Sequence, residues 1–192
     1  GINISECRLL EENGRSHFMS RRFDRVNGNE KVHMQTLCGI AHYDYKMLHA
    51  YSYEQVFQVM RRLRLPYSQA EEMYRRMVFN VIARNQDDHT KNISFLMDKK
   101  GLWSLSPAYD MSWAYNPAGA WTSMHQMSIN NKWGDITRED LLAIAKNVNI
   151  RKANEIIEQV KGGVAKWNRL ATEYGVPQDM IKAIDSTLLL DI

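Results

Sequence analysis

Apolar and polar residues alternate along the first 26 positions, a pattern that predicts extended strands. Ile2 and Ile4 alternate with polar neighbours, and Asn13-Gly14 lies between two such stretches. An Asn-Gly pair favours a tight hairpin turn, because both residues tolerate positive φ. The return strand would contain His17, Phe18, Met19 and Phe23, with a turn at 26–29.

Beyond residue 50 the apolar residues recur every three or four positions, which predicts amphipathic helices. Ser52 and Gln55 form a capping-box pattern that opens a helix to about residue 63. Ser68 and Glu71 predict the start of a second helix, which continues to about residue 84.

The second half of the chain alternates between regular and irregular stretches. Residues 93–97 and 102–106 predict a second hairpin, and 107–136 predicts a long functional loop or short helical pieces. Three helices should follow: one capped by Thr137 and running to about residue 148, one over 152–174, and one from Pro177. The expected fold is therefore α+β, mainly α, with an N-terminal β-hairpin and a central hairpin.

Composition narrows the class of protein. The chain has 192 residues, 44% of them hydrophobic, which is enough for a packed domain. A net charge of +3 permits contact with phosphate groups without requiring it. Cys7 and Cys38 lack metal-binding spacing and are expected to be free thiols. With no long apolar run, we expect a cytoplasmic protein without a membrane partner.

The densest polar cluster follows the predicted helix that ends near residue 84. It is the stretch Arg84-Asn-Gln-Asp87-Asp88-His89-Thr-Lys91-Asn92. Asp87 and Asn92 have the D-x-x-x-x-N spacing of a kinase catalytic loop. Phosphoryl transfer needs a carboxylate that orients the attacking hydroxyl and a nearby oxygen ligand for Mg²⁺. This spacing therefore indicates a phosphoryl-transfer loop.

A second candidate metal ligand, Asp110, follows the predicted central hairpin. Because a hairpin brings its two ends together, Asn92 and Asp110 should be neighbours. Magnesium is commonly bound by one or two protein oxygens, with phosphates and water completing the octahedron. The order of Asp, Asn, hairpin and Asp agrees with this arrangement.

Each residue also has a simpler interpretation. Adjacent acids such as Asp87-Asp88 are commonly a solvated turn, and Lys91 alone would be a surface charge. His89 could bind a metal, contact ribose or phosphate, or orient the loop. Asp110 alone could cap a following helix.

A metal-dependent hydrolase is another class of enzyme that fits some of these residues. It would use Asp87, His89 and Asp110. That chemistry gives Asn92 no role, so the kinase interpretation explains more of the cluster.

The stretch FNVIARNQDDHTKNISFLMDKKGLWSLSPAYDMSWAY resembles the core signature of HipA-like serine/threonine kinases, the toxins of HipBA-type toxin–antitoxin modules. RRFDR at 21–25 is similar to the segment that joins the two kinase lobes in that family, and HQMSIN at 125–130 is also similar. The resemblance implies a protein-kinase-like C-terminal lobe. It also implies Mg-dependent transfer of phosphate from ATP.

The resemblance also implies roles for individual residues. The catalytic residues would be Asp87, His89 and Lys91. The Mg²⁺ ligands would be Asn92 and Asp110. The nucleotide contacts would be Arg21, Phe23, Asp24 and His89, with main-chain contacts to adenine at the first two and the ribose near Asp24.

The same resemblance divides the chain into two parts. Residues 1–26 would be a β-hairpin and interlobe segment, and 27–192 the helical C-lobe with catalytic loop 84–92 and metal-binding segment 107–111. No Gly-rich phosphate loop precedes RRFDR, and no Lys precedes Lys31. We therefore expect the chain to lack most of the N-lobe and to be inactive alone.

Two kinds of partner are implied by the resemblance. A kinase would act on a bacterial protein, with an aminoacyl-tRNA synthetase as the target class. A HipB-like DNA-binding antitoxin would bind the toxin. The alternative function is a non-catalytic module that engages this antitoxin, with minor DNA contact through the basic pairs at 21–22, 61–62 and 75–76.

Overall fold

The computed structural model describes residues 1–28 and 30–192. Their fold is mixed α and β, as expected, with short strands and a larger helical body. The strands are β1 (Cys7–Glu12), β2 (Arg15–Ser20), β3 (Arg25–Val26), β4 (Glu30–Lys31), β5 (His33–Thr36), β6 (Tyr51–Ser52), β7 (Ser94–Met97), β8 (Trp103–Leu105) and β9 (Met127–Ser128). The helices are α1 (Leu37–Ala41), α2 (Tyr53–Arg62), α3 (Tyr67–Ile82), α4 (Arg138–Val148), α5 (Ala153–Val164), α6 (Trp167–Glu173) and α7 (Gln178–Asp185).

The N-terminal hairpin of β1 and β2 is confirmed. Asn13 and Gly14 have φ values of 51° and 71°, so both turn residues adopt the left-handed conformation expected of this pair. Including Phe23 in the return strand was wrong, because β2 ends at Ser20 and the chain turns at 23–24. The predicted turn at 26–29 separates β3 from β4, although its last residue, Asn29, lies outside the described residues.

The central hairpin of β7 and β8 is also confirmed, and β5 extends it to a three-stranded antiparallel sheet. Phe95 is completely buried at the centre of this sheet. The hydroxyl oxygens of Ser94 and Ser106 lie 2.9 Å apart and join the two ends of the hairpin. This closure determines where the residues before β7 and after β8 meet.

Helices α2 and α3 begin in different ways. The capping box of Ser52 and Gln55 is present at the start of α2. The capping box predicted at Ser68 was wrong, because α3 already begins at Tyr67 and its N-cap is Pro66. The fixed φ of proline suits this position, where the carbonyl of Pro66 accepts a hydrogen bond from Gln69 N at 3.0 Å.

The C-terminal helices complete the core. Thr137 caps α4, as the sequence predicts, and Asp140 completes a capping box with it. The prediction of one helix over 152–174 was wrong, because residues 165–166 separate α5 from α6. This break lies one residue after the weak helix formers Gly162 and Gly163. Helix α3 packs against α5, and their buried residues include Met73, Met77, Val81, Ile156 and Val160.

The stretch 107–136 is largely irregular, as expected, but it contains β9. This strand pairs in parallel with β6, which directly precedes α2. The pairing places His125 and Gln126 near the start of α2. Among the described residues, no helix has the length and apolar content to cross a membrane.

Candidate active site

The loop at 84–92 is held by the chain on both sides. At its start, Arg84 has a φ of 56° and reverses the chain after α3. Gln86 N donates to Ala114 O at 3.1 Å, which pairs the loop with the stretch after Asp110. Near its end, Thr90 O accepts from Cys38 N in α1 at 3.1 Å. The loop therefore has fixed ends and can present its side chains in a defined geometry.

Asp88 is a buried anchor of this loop. Its side chain is almost wholly inaccessible, with 1% of its surface exposed. Tyr53 donates its hydroxyl to Asp88 Oδ2 at 2.7 Å, and His125 Nδ1 lies 2.9 Å from the same oxygen. Gln126 N donates to Asp88 Oδ1 at 2.8 Å. The solvated-turn interpretation is therefore wrong for Asp88.

The anchor continues into α3. Asn80 donates to the hydroxyl of Tyr53 at 2.9 Å, and Asn85 donates to Asn80 Oδ1 at 2.9 Å. Burial, followed by the nearby charge of Asp88, raises the pKa of Tyr53 well above its usual range. Tyr53 consequently remains a neutral donor to Asp88. The network ties the loop to α2, α3 and the segment before β9.

Asp87 faces the opposite way from Asp88. Its backbone carbonyl accepts a hydrogen bond from Asn92 Nδ2 at 2.9 Å, which closes the loop between the two predicted site residues. The Asp87 carboxylate is about half exposed, and His89 Nε2 lies 3.9 Å from its Oδ1. Within the described residues, no group donates a hydrogen bond to this carboxylate or to Asn92 Oδ1.

Asp110 lies beside Asn92, as the hairpin predicts. Tyr109 donates its hydroxyl to Lys91 O at 2.5 Å, which joins the residues that precede Asp110 and Asn92. Asn92, Asp110 and His89 all line one cavity of about 20 Å³. Asp110 has a φ of 53°, an uncommon conformation for a residue other than glycine that is enriched at functional sites.

The donor set of this cavity fits magnesium. Asn92 Oδ1 and the Asp110 carboxylate are hard oxygen donors without protein donors in the described residues, and Mg²⁺ needs few such ligands. No group of three or more His, Cys, Asp or Glu in those residues is placed to bind a metal. A metal bound by Asn92 and Asp110 would therefore depend on oxygens from a phosphate ligand.

His89 and Lys91 both contact the aromatic ring of Tyr45. The Lys91 ammonium is 3.8 Å from the centroid of the Tyr45 ring. The rings of Tyr45 and His89 have centroids 5.5 Å apart. His89 Nδ1 is buried and has no hydrogen-bond partner in the described residues.

Besides His89, the other three residues predicted to contact the nucleotide have different surroundings. Phe23 contacts Tyr109, which lines the cavity, and their ring centroids lie 5.7 Å apart. Asp24 is buried, and hydrogen bonds from Arg22 lower its pKa to about 2 despite burial. Arg21 is exposed on the N-terminal hairpin, where Nη1 lies 3.6 Å from Glu6 Oε2. No contact joins Arg21 to the described cavity residues.

Sequence reasoning missed most of the supporting residues. Tyr45, Tyr53 and Asn80 were not identified as site residues, although they contact the loop or its anchor. Tyr45 and Tyr53 lie far from the loop in sequence. Asn80 lies close to the loop in sequence, but, like Tyr53, it looks like an ordinary helix residue. His125 had a signal, because it is the first residue of the HQMSIN stretch.

Comparison with known proteins shows the family to which this chain belongs. Residues 1–167 match the family model described as the HipA-like C-terminal domain. The chain therefore belongs to the HipA-like C-terminal domain family.

Two known proteins are similar to this chain, one in sequence and one in fold. A Haemophilus influenzae protein named "Putative kinase" is 24% identical over an alignment of 218 residues. The alignment covers 97% of this chain and 64% of the relative. The fold is similar to a chain in the Shewanella oneidensis complex of HipA, HipB and operator DNA, with a TM-score of 0.76 and 16% identity. That match covers 96% of this chain and 49% of the other. The chain thus spans about half to two thirds of the length of these relatives.

Proposed function

We propose that this chain provides the catalytic loop and metal ligands of a HipA-like serine/threonine protein kinase. The reaction would transfer the γ-phosphoryl group of ATP to a hydroxyl of a bacterial protein, possible targets including an aminoacyl-tRNA synthetase. One observation supports this most strongly. The carboxylates of Asp87 and Asp110 and the oxygen Asn92 Oδ1 accept no hydrogen bond from the described residues. The loop that carries Asp87 and Asn92 is fixed from below by Asp88.

Each of these groups has a role in the proposed reaction. Asp87 would orient the substrate hydroxyl and accept its proton as the oxygen attacks phosphorus. Asn92 and Asp110 would hold Mg²⁺, which neutralises charge on the phosphate oxygens when bound. Lys91 and His89, on the same loop, would add positive charge or hydrogen bonds near the transferred group.

The neighbouring residues limit what the chain would do alone. Phe23 would border the adenine side, whereas Asp24 would need to leave its arginine partners to contact ribose. No Gly-rich phosphate loop precedes Arg21 in this sequence. We therefore propose that the 192 residues alone transfer phosphate poorly, and that the full-length protein acts in the cytoplasm.

The test is a phosphoryl-transfer assay on the full-length protein with Mg²⁺ and ATP. Asp87→Asn should lower the rate by about 10²- to 10⁴-fold, because it removes the general base without disturbing the buried anchor. Asp179→Asn, at an exposed position on α7, is the matched control and should retain the wild-type rate. An Asp87→Asn protein with unchanged transfer would refute the proposal.

A second candidate function is antitoxin binding with minor DNA contact. Arg61, Arg62 and Arg64 are exposed at the end of α2 and have no carboxylate partner within 4 Å in the described residues. The basic pairs at 21–22 and 75–76 are less available for contact with DNA. Arg76 is buried and donates to Glu72 and to Ser106 O, and Arg22 is paired with Asp24.

This candidate is tested by measuring DNA binding in complex with the cognate HipB-like antitoxin. Changing Arg61, Arg62 and Arg64 to Gln should weaken binding and make it less dependent on salt, because fewer counterions are released. Changing Lys166 and Arg169 to Gln controls for the loss of charge elsewhere. Equal affinity and salt dependence for the triple variant and the wild type would exclude DNA contact at this surface.

A further inference from the structure

The connection between α1 and β6 approaches the candidate active site from outside the loop. Within this connection, Asp44 O accepts from Met47 N at 3.0 Å, and Asp44 Oδ1 accepts from Lys46 N at 3.0 Å. These bonds form a turn around Tyr45. The position of the Tyr45 ring is therefore defined by local hydrogen bonds as well as by its neighbours.

The same connection is fastened to the loop at 84–92. Thr90, which is buried, donates its hydroxyl to Tyr43 O at 2.8 Å. The ring of Tyr43 stacks on Tyr51 with centroids 4.6 Å apart. Because Thr90 lies between His89 and Lys91, this bond fixes Tyr45 against the two residues that its ring contacts.

Tyr45 contacts Lys91 and His89 through its ring. The Lys91 ammonium lies 3.8 Å from the ring centroid, well within the range of a cation–π interaction. Lys91 has no carboxylate within 4 Å in the described part of the chain, so the ring is its main electrostatic partner there. The Tyr45 hydroxyl makes no hydrogen bond in the same residues.

We propose that Tyr45 is a positioning residue of the phosphoryl-transfer site, acting through its ring face. It restrains the Lys91 side chain beside Asn92 and packs against the His89 ring, which lies 3.9 Å from Asp87. The Lys91 backbone is restrained separately by Tyr109. An ammonium group that is already held in place loses less conformational freedom when it binds the phosphate. It therefore stabilises the transition state more strongly than a mobile one would. This inference rests on the proposed kinase function.

The experiment compares Tyr45→Leu with Tyr45→Phe in the full-length protein. Tyr45→Leu should lower kcat by about three- to tenfold, the size expected for loss of one cation–π contact, with a smaller change in the KM for ATP. Tyr45→Phe preserves the ring and should retain most of the wild-type kcat. Tyr67→Leu is the matched control, because Tyr67 also faces a cation, Arg151 at 5.8 Å, but lies outside the site.

A second readout separates positioning from general damage. The ε protons of Lys91 should show an upfield ring-current shift in nuclear magnetic resonance spectra of the wild type and Tyr45→Phe. That shift should disappear in Tyr45→Leu, while thermal unfolding still shows a folded protein.

The outcomes distinguish the two proposals. Asp87-dependent transfer that is unaffected by Tyr45→Leu would overturn the positioning role and leave the kinase function intact. An equal loss in Tyr45→Phe and Tyr45→Leu would assign the effect to the hydroxyl and also overturn it. If the wild type shows no Asp87-dependent transfer, the kinase function fails and the positioning role fails with it.

Discussion

Asp87 and Asp88 are adjacent in the chain, but they lie in two very different regions. Asp88 is on the underside of the loop, where Tyr53, His125 and Gln126 surround a buried carboxylate. Asp87 is on the open face, where its carboxylate is about half exposed. The difference shows that burial and hydrogen-bond satisfaction, rather than residue type, separate a structural carboxylate from a candidate catalytic one.

The two regions depend on each other. A carboxylate that must bind substrate cannot be saturated by protein donors, and a loop with such open groups needs support elsewhere. The anchor supplies that support through contacts that are buried and charge-assisted. We therefore expect substitutions on the underside to lower stability and substitutions on the open face to lower activity.

The largest stability effect should come from Asp88→Asn. The variant leaves the donors around Asp88 with a poorer acceptor in a buried site, so we expect a loss of about 3 kcal/mol in the free energy of unfolding. Urea denaturation measures this loss. Asp87→Asn is the control and should change stability by less than about 0.5 kcal/mol. Equal effects of the two substitutions would remove the distinction between the regions.

The next effect concerns Asp140, which holds the stretch 125–136 against α4. Burial favours the neutral carboxyl, but hydrogen bonds from Lys132, Asn130 and Thr137 outweigh it and lower the pKa of Asp140 to about 2. A lowered folded-state pKa stabilises the protein above the unfolded value of about 4, and this stabilisation is lost as pH falls towards 2.

Asp140→Asn should therefore cost about 2 kcal/mol at pH 7, and its difference from wild type should shrink as the pH falls from 4 towards 2. Urea denaturation at several pH values measures this, with Asp179→Asn as an exposed control. A difference that is independent of pH would contradict the assigned ionic contacts.

The smallest effect in the series should come from Tyr53→Phe, which removes the hydroxyl between Asp88 and Asn80. We expect a loss of about 1 kcal/mol, because the carboxylate keeps its other two partners. Tyr67→Phe removes an exposed hydroxyl and provides the comparison in thermal unfolding. A neutral Tyr53→Phe would mean that this hydroxyl adds little to the anchor.

Much of the open face could be predicted from the sequence, because local patterns determine it. The spacing of Asp87 and Asn92, and a hairpin that returns the chain to Asp110, identify neighbours without tertiary information. The same is true of the Asn13-Gly14 turn and of the Ser52 and Thr137 caps.

The underside could not be predicted in the same way. The partners of Asp88 lie 35 to 38 residues away and reach it through the two-residue parallel pairing of β6 with β9, which leaves no periodic signal. Strand β5 and helix α1 are also too short for pattern recognition. The break between α5 and α6 depends on packing, and the sequence indicated only a weak point at 162–163.

Magnesium-dependent nucleotide binding tests the central claim most directly. Calorimetry on the full-length protein should show that Mg²⁺ strengthens ATP binding, and that Asp110→Asn removes most of this effect while leaving thermal stability unchanged. The account predicts this loss because the Asp110 carboxylate is held beside Asn92 without a protein partner among the described residues. Magnesium dependence of the same size in Asp110→Asn and wild type would contradict it.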